Sequence, residues 1–136
     1  MQRHIVLGLL FMFGAAGCDS GTLWQDPPYD LTWIDTRDNN AVYYRLDNGD
    51  GIRRVGPNVV AVGRDEHFLV AKRQDEDDQI WFYFIEISKD RKYFNASDIT
   101  QGPFGEQAFM ALAKALGLPP FEHTFRSRPT DPLETK

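Results

Sequence analysis

The chain has 136 residues, 42% of them hydrophobic, which fits one domain folded around an ordinary core. Its 15 Lys and Arg against 20 Asp and Glu give a net charge of -5, a balance that repels phosphate backbones and anionic lipid, so nucleic acid is not an expected partner. The single cysteine excludes an intramolecular disulfide, a CxxC redox pair and a thiolate metal cluster.

The N-terminus has the layout of a secretory signal: the basic Arg3, then a nine-residue apolar run over residues 5–13, then small residues. That run is too short for a spanning helix, which needs about 20 apolar residues. Ala15-Ala16-Gly17-Cys18 resembles the lipobox of bacterial lipoproteins, with Ala15 at the position where Leu is commonest. The resemblance covers the first 18 residues. It implies diacylation of the Cys18 sulfur and cleavage after Gly17, so that residues 1–17 are a signal peptide and membrane lipid is reached through acylated Cys18. Two or three acyl chains anchor stably where one would be marginal. An ordinary signal cut after Gly17 is the alternative, since Ala-Ala-Gly also suits the general signal peptidase.

Removal of residues 1–17 would leave 14 Lys and Arg against the same 20 acids, a net charge of about -6. Asp19, directly after the cysteine, resembles the sorting residue that holds enteric lipoproteins in the inner membrane. The expected address is thus the periplasmic side of a cell membrane, with Asp19 favouring the inner one. Residues 18–30 are rich in turn formers and read as a lipidated tether reaching roughly 40 Å at about 3.3 Å per residue. A compact domain is then expected over residues 31–126, and residues 127–136, with two prolines and no apolar periodicity, read as a flexible tail.

Within that domain, short runs of β-branched and aromatic residues alternate with turn signals, which predicts strands near residues 31–36, 41–47, 51–55, 58–63, 67–73 and 79–88. Asn48-Gly49 is the favoured pair for a type I′ hairpin. The last strand is apolar on both alternating faces, with Trp81, Tyr83, Ile85 and Ile87 on one and Ile80, Phe82 and Phe84 on the other. Such a strand is central and covered on both sides. One cover is a helix over residues 104–116, in which Phe109, Leu112, Ala113 and Leu116 fall on one stripe between Pro103 and Gly117. Phe121, His123 and Phe125 alternate as in a closing strand. The expected fold is α+β, an antiparallel β-meander sheet with one C-terminal helix packed on it.

No residue pattern announces catalysis. His67 and His123 stand outside any nucleophile motif and read as ordinary strand histidines; Trp24, Tyr29 and Trp33 read as core or membrane-interface anchors. Asp75-Glu76-Asp77-Asp78 lacks the alternation, the glycine and the distal Glu of a calcium loop, so no metal is expected there. A solvated hairpin tip is its plain reading, and electrostatic docking to a basic partner its functional one. Gly102-Pro103-Phe104-Gly105 lacks the lysine and the spacing of a phosphate loop. No cofactor is expected.

Residues 60–72, then Phe82-Tyr83-Phe84-Ile85-Glu86, Ala108-Phe109 and Ala115-Leu116-Gly117 together look like the core of small bacterial lipoprotein domains of unknown function. The resemblance spans roughly residues 58–118 and implies a strand pair, an aromatic strand and a terminal helix, with no catalytic residues. The expected function is a non-enzymatic, membrane-anchored lipoprotein that binds an envelope or toxin protein in the manner of an immunity protein, with Asp75, Glu76, Asp77 and Asp78 as the contact edge. An accessory structural lipoprotein of an envelope complex is the second expectation. An envelope enzyme or small-ligand carrier, using His67 or His123 beside carboxylates in a deep pocket, is the third.

Overall fold

A computed structural model of the chain describes residues 19–125. The expected signal peptide over residues 1–17, Cys18 and the expected tail over residues 127–136 lie outside the described residues. The fold is α+β and mostly β: two antiparallel sheets face each other across a shared core, and a helix packs on the outside of the second. The expected single meander is therefore divided in two. β1 (Ser20–Asp26), β2 (Tyr29–Ile34), β3 (Thr36–Arg45) and β4 (Gly51–Val55) form the first sheet in that order. β5 (Val59–Arg64), β6 (Phe68–Gln74), β7 (Ile80–Glu86), β8 (Gln101–Phe104) and β9 (His123–Thr124) form the second, in the order β8-β7-β6-β5-β9. Between β7 and β8 lie a 3-10 turn (Ile87–Lys89) and the short helix α1 (Ala96–Ile99); α2 (Glu106–Leu116) follows β8.

The chain changes sheets at residues 56–58, and Asn40 ties that crossing to β3. Its Oδ1 accepts the Val59 N–H at 2.6 Å, and its Nδ2 donates to the Arg37 and Val59 carbonyls at 2.8 and 3.2 Å. A buried amide with these partners is satisfied, which is the condition for burying one at all. Leu31, Val42, Val59, Val62, Leu69 and Ile85 are all fully buried between the sheets.

β7 is central and covered on both faces, as its doubly apolar pattern requires. Tyr83 and Ile85 point into the core between the sheets, while Phe82 and Phe84 pack with Phe109 under α2. Phe82 stacks on Phe109 with ring centroids 4.9 Å apart. α2 stops where Gly117 adopts the left-handed conformation, φ 70°, and the Gly117 and Leu118 N–H groups both donate to the Ala113 carbonyl. Gly63 is needed for a different reason: a Cβ there would lie 1.9 Å from the Pro120 carbonyl oxygen, so its lack of a side chain admits the segment that leads from α2 to β9.

Four other expectations are corrected. Residues 20–26, expected within the tether, form β1, whose bulge between Thr22 and Trp24 lets both Leu23 and Trp24 pack against the core. Turn-forming residues at its start hid a strand whose alternation the bulge breaks. Gly21 belongs to this strand because a Cβ would strike the Trp33 indole at 2.6 Å. The turn at residues 46–50 has positive φ at Gly49 and not at Asn48, with the Leu46 carbonyl accepting from Gly49, so it is a type I turn closed by a glycine bulge rather than type I′. The closing strand shrinks to His123–Thr124, and Leu116, expected in the buried stripe of α2, is 44% exposed.

Candidate functional site

The four acids predicted as a contact edge cap the β6–β7 hairpin, and they are not equivalent. The turn has the same build as residues 46–50, with the Asp78 N–H donating to the Asp75 carbonyl at 3.1 Å and Asp78 at φ 62° where Gly49 stands in the other. Asp75 organises it. Its Oδ1 accepts the Asp77 and Gln79 N–H groups at 2.8 and 2.9 Å, and its Oδ2 accepts the Trp81 indole N–H at 2.8 Å. Those bonds, the Trp81 bond first, hold its carboxyl below the usual aspartate range. Asp75 is thus occupied inside the hairpin, while Glu76, Asp77 and Asp78 are exposed.

Beside this tip lies an open cleft of about 550 Å³, where Asp38 and Asn39 of β3 and Pro57 and Asn58 of the crossing face Arg73, Gln74, Asp75, Glu76 and Asp77. Asn58, at φ 62°, holds the floor: its backbone N–H donates to the Asn40 carbonyl, its Nδ2 donates to the Gln74 carbonyl at 3.0 Å, and its own carbonyl accepts the Gln74 N–H. Arg73 donates from Nε to the Pro57 carbonyl at 3.0 Å and from Nη1 to the Tyr83 hydroxyl at 3.3 Å. The cleft therefore has a fixed backbone rim and an anionic lip, a shape suited to a cationic group.

The histidines do not meet in such a site. His67 is exposed on the turn after β5, where its N–H and that of Phe68 donate to Asp65 Oδ1. His123 is exposed on β9 against the Trp24 ring, 6.4 Å between centroids. Neither lines the cleft, and among the described residues no three of His, Cys, Asp and Glu come together as a metal site. No helix of the described residues is long and apolar enough to cross a membrane.

Two charged clusters escaped the sequence reading. Arg54 and Asp90 form a buried bidentate pair, Nε to Oδ2 and Nη2 to Oδ1, each at 3.0 Å, with side-chain exposures of 0% and 1%. The remaining Arg54 donors reach the Phe94 carbonyl at 2.6 Å and the Arg91 carbonyl at 2.9 Å, and the Tyr29 hydroxyl donates to Asp90 Oδ2 at 2.7 Å. Burial first, then the Asp90 hydrogen bond and charge, hold the Tyr29 phenol far above its ordinary range. The cause of the arrangement is a bulge in β4: Val42 pairs with Val55 and Tyr43 with Arg53, so Arg54 is the extra residue and turns inward. The pair ties the first sheet to the loop after β7, and removing one partner of such a pair costs about 3–5 kcal/mol because the other is left charged and dry.

The second cluster joins neighbouring strands of the first sheet. Arg45 donates from Nε and Nη2 to the two oxygens of Asp30 at 2.7 and 2.6 Å, and Thr32 donates to the same carboxylate at 2.8 Å. The Asp30 hydrogen bond holds the Arg45 guanidinium above its ordinary value. Both clusters join different segments of the chain and so help to hold the fold. No family model, curated protein or solved structure matches the chain.

Proposed function

We propose that the protein is a lipid-anchored periplasmic lipoprotein without enzymatic activity, held through acylated Cys18, that binds an envelope or toxin protein in the manner of an immunity protein. Three features support this reading: the apolar run and lipobox-like Ala15-Ala16-Gly17-Cys18, a chain of single-domain size, and an anionic lip beside an open cleft. The observation that carries the binding part is the division of labour in the acidic turn. Asp75 fixes the turn through three internal hydrogen bonds, so exposed Glu76 and Asp77 are presented in a set geometry beside a cleft. Preorganised charge of this kind steers a cationic partner and selects among partners more than it adds raw affinity.

The test begins with crosslinking in intact cells of a tagged chain that retains Cys18, followed by mass spectrometry of what co-purifies. The variant Glu76→Ser, Asp77→Ser, Asp78→Asn then removes the exposed charge while leaving Asp75 to hold the turn and a residue tolerant of positive φ at position 78. Its melting temperature is expected to match the parent, its affinity for the captured partner to fall, and the salt dependence of binding to weaken. Unaltered affinity and salt dependence would remove the acidic turn from the interface.

A further inference from the structure

Strand direction fixes which parts of the sandwich share an end with the lipid attachment point. Asp19 accepts the Asp35 N–H on its carbonyl at 2.7 Å, and Ser20 pairs with Ile34, so the chain enters the first sheet one residue after Cys18 has passed. Asn39 reaches back to the Ile34 carbonyl at 3.0 Å, and Asp38 and Asn39 share the cleft with Asp75, Glu76 and Asp77. The β6–β7 turn therefore stands at the same end as Asp19. The turns at residues 26–29, 46–50 and 65–67 stand at the other, joined there by the Arg64 donations to the Asp26 and Pro27 carbonyls and by the Arg45 N–H to Pro28. The ten residues of β3 run between the two ends, about 33 Å at roughly 3.3 Å per residue.

This leaves almost no tether. At about 3.3–3.6 Å per residue, Cys18 and Asp19 together supply roughly 7 Å between acyl chains and the first strand. Two exposed isoleucines, Ile34 at 39% and Ile80 at 38%, lie at the same end. We propose that in the anchored protein the short tether holds the bilayer surface against this end of the sandwich, the one carrying Asp19, Ile34, Asp38 and the β6–β7 turn, against the repulsion its acids meet from anionic headgroups. The inference rests on the lipoprotein reading above and narrows its partner: a protein that engages Glu76 and Asp77 meets them at the headgroup layer, so the matching chemistry is a basic segment of a membrane-embedded protein beside the bilayer.

The test uses the acylated mature chain in phosphatidylcholine vesicles that contain a nitroxide-headgroup lipid. A fluorophore is attached to a cysteine introduced by Glu76→Cys in one sample and by Glu66→Cys in another; both sites are exposed, both lose one acid, and Cys18 is blocked by its lipid. Quenching is expected to be several-fold stronger at position 76 than at position 66. Equal or reversed quenching with Cys18 shown by mass spectrometry to be acylated overturns the orientation and leaves the anchor standing. An unacylated Cys18 with the protein free in solution overturns both.

Discussion

Asp75 and its three neighbours are chemically near-identical in the sequence, yet their environments separate them. Asp75 accepts from two backbone N–H groups and the Trp81 indole, and these bonds favour its charged form. A carboxyl whose folded value is depressed contributes stability above its unfolded value, near about 3.9, and loses that contribution as pH falls through the lower folded value. Asp75→Asn is therefore expected to lower the melting temperature at pH 7, with the gap to the parent closing as the pH is taken below about 4. Thermal melts across pH check this, and a gap that does not change with pH would assign the loss to shape and not to charge. The identity of the acidic turn was legible in the sequence, because four consecutive acids between two apolar runs have few other places to go. Which acid the hairpin consumes was not legible, since that depends on Trp81 returning to the turn. Nor was Arg54 legible as a buried group: the Ile52-Arg53-Arg54-Val55 alternation gives no sign of a bulge, and Asp90 and Tyr29 are 36 and 25 residues away in the sequence.

At the level of elements, six strands and the long helix follow from periodicity and turn chemistry, and the doubly apolar β7 called correctly for two covers. The elements that escaped are short or irregular. β8 is four residues containing a glycine and a proline, both unfavourable in a strand interior, and it survives as an edge beside β7. Hydrophobic spacing also does not reveal how far along a helix the burial extends. α2 buries Phe109 to 4% exposure against Phe82 and Phe121, half-buries Leu112 and leaves Leu116 at 44%. Phe109→Ala is expected to cost about 3–5 kcal/mol. Leu116→Ala should stay within about 0.5 kcal/mol, as for surface substitutions generally. Denaturant unfolding of both variants decides the matter; similar losses at the two positions would mean that Leu116 is buried in solution.

For the molecule as a whole, the division into two sheets follows from the crossing at residues 56–58, which no local pattern encodes: the turn signal there is compatible with a hairpin, and only the Asn40 link to Val59 and the shared core show that the chain passes to a second layer. The same division sets the molecule's polarity, placing Asp19 and the acidic turn at one end and the turns at residues 26–29, 46–50 and 65–67 at the other. Everything proposed about partner and orientation depends on the chain being held at Cys18. Mass spectrometry of the N-terminal peptide of protein purified from a bacterial membrane fraction is the most direct measurement of that. The account predicts a mature chain that begins at Cys18 and carries two or three acyl chains. A chain that begins at an unmodified Cys18, or that retains Met1, would contradict it.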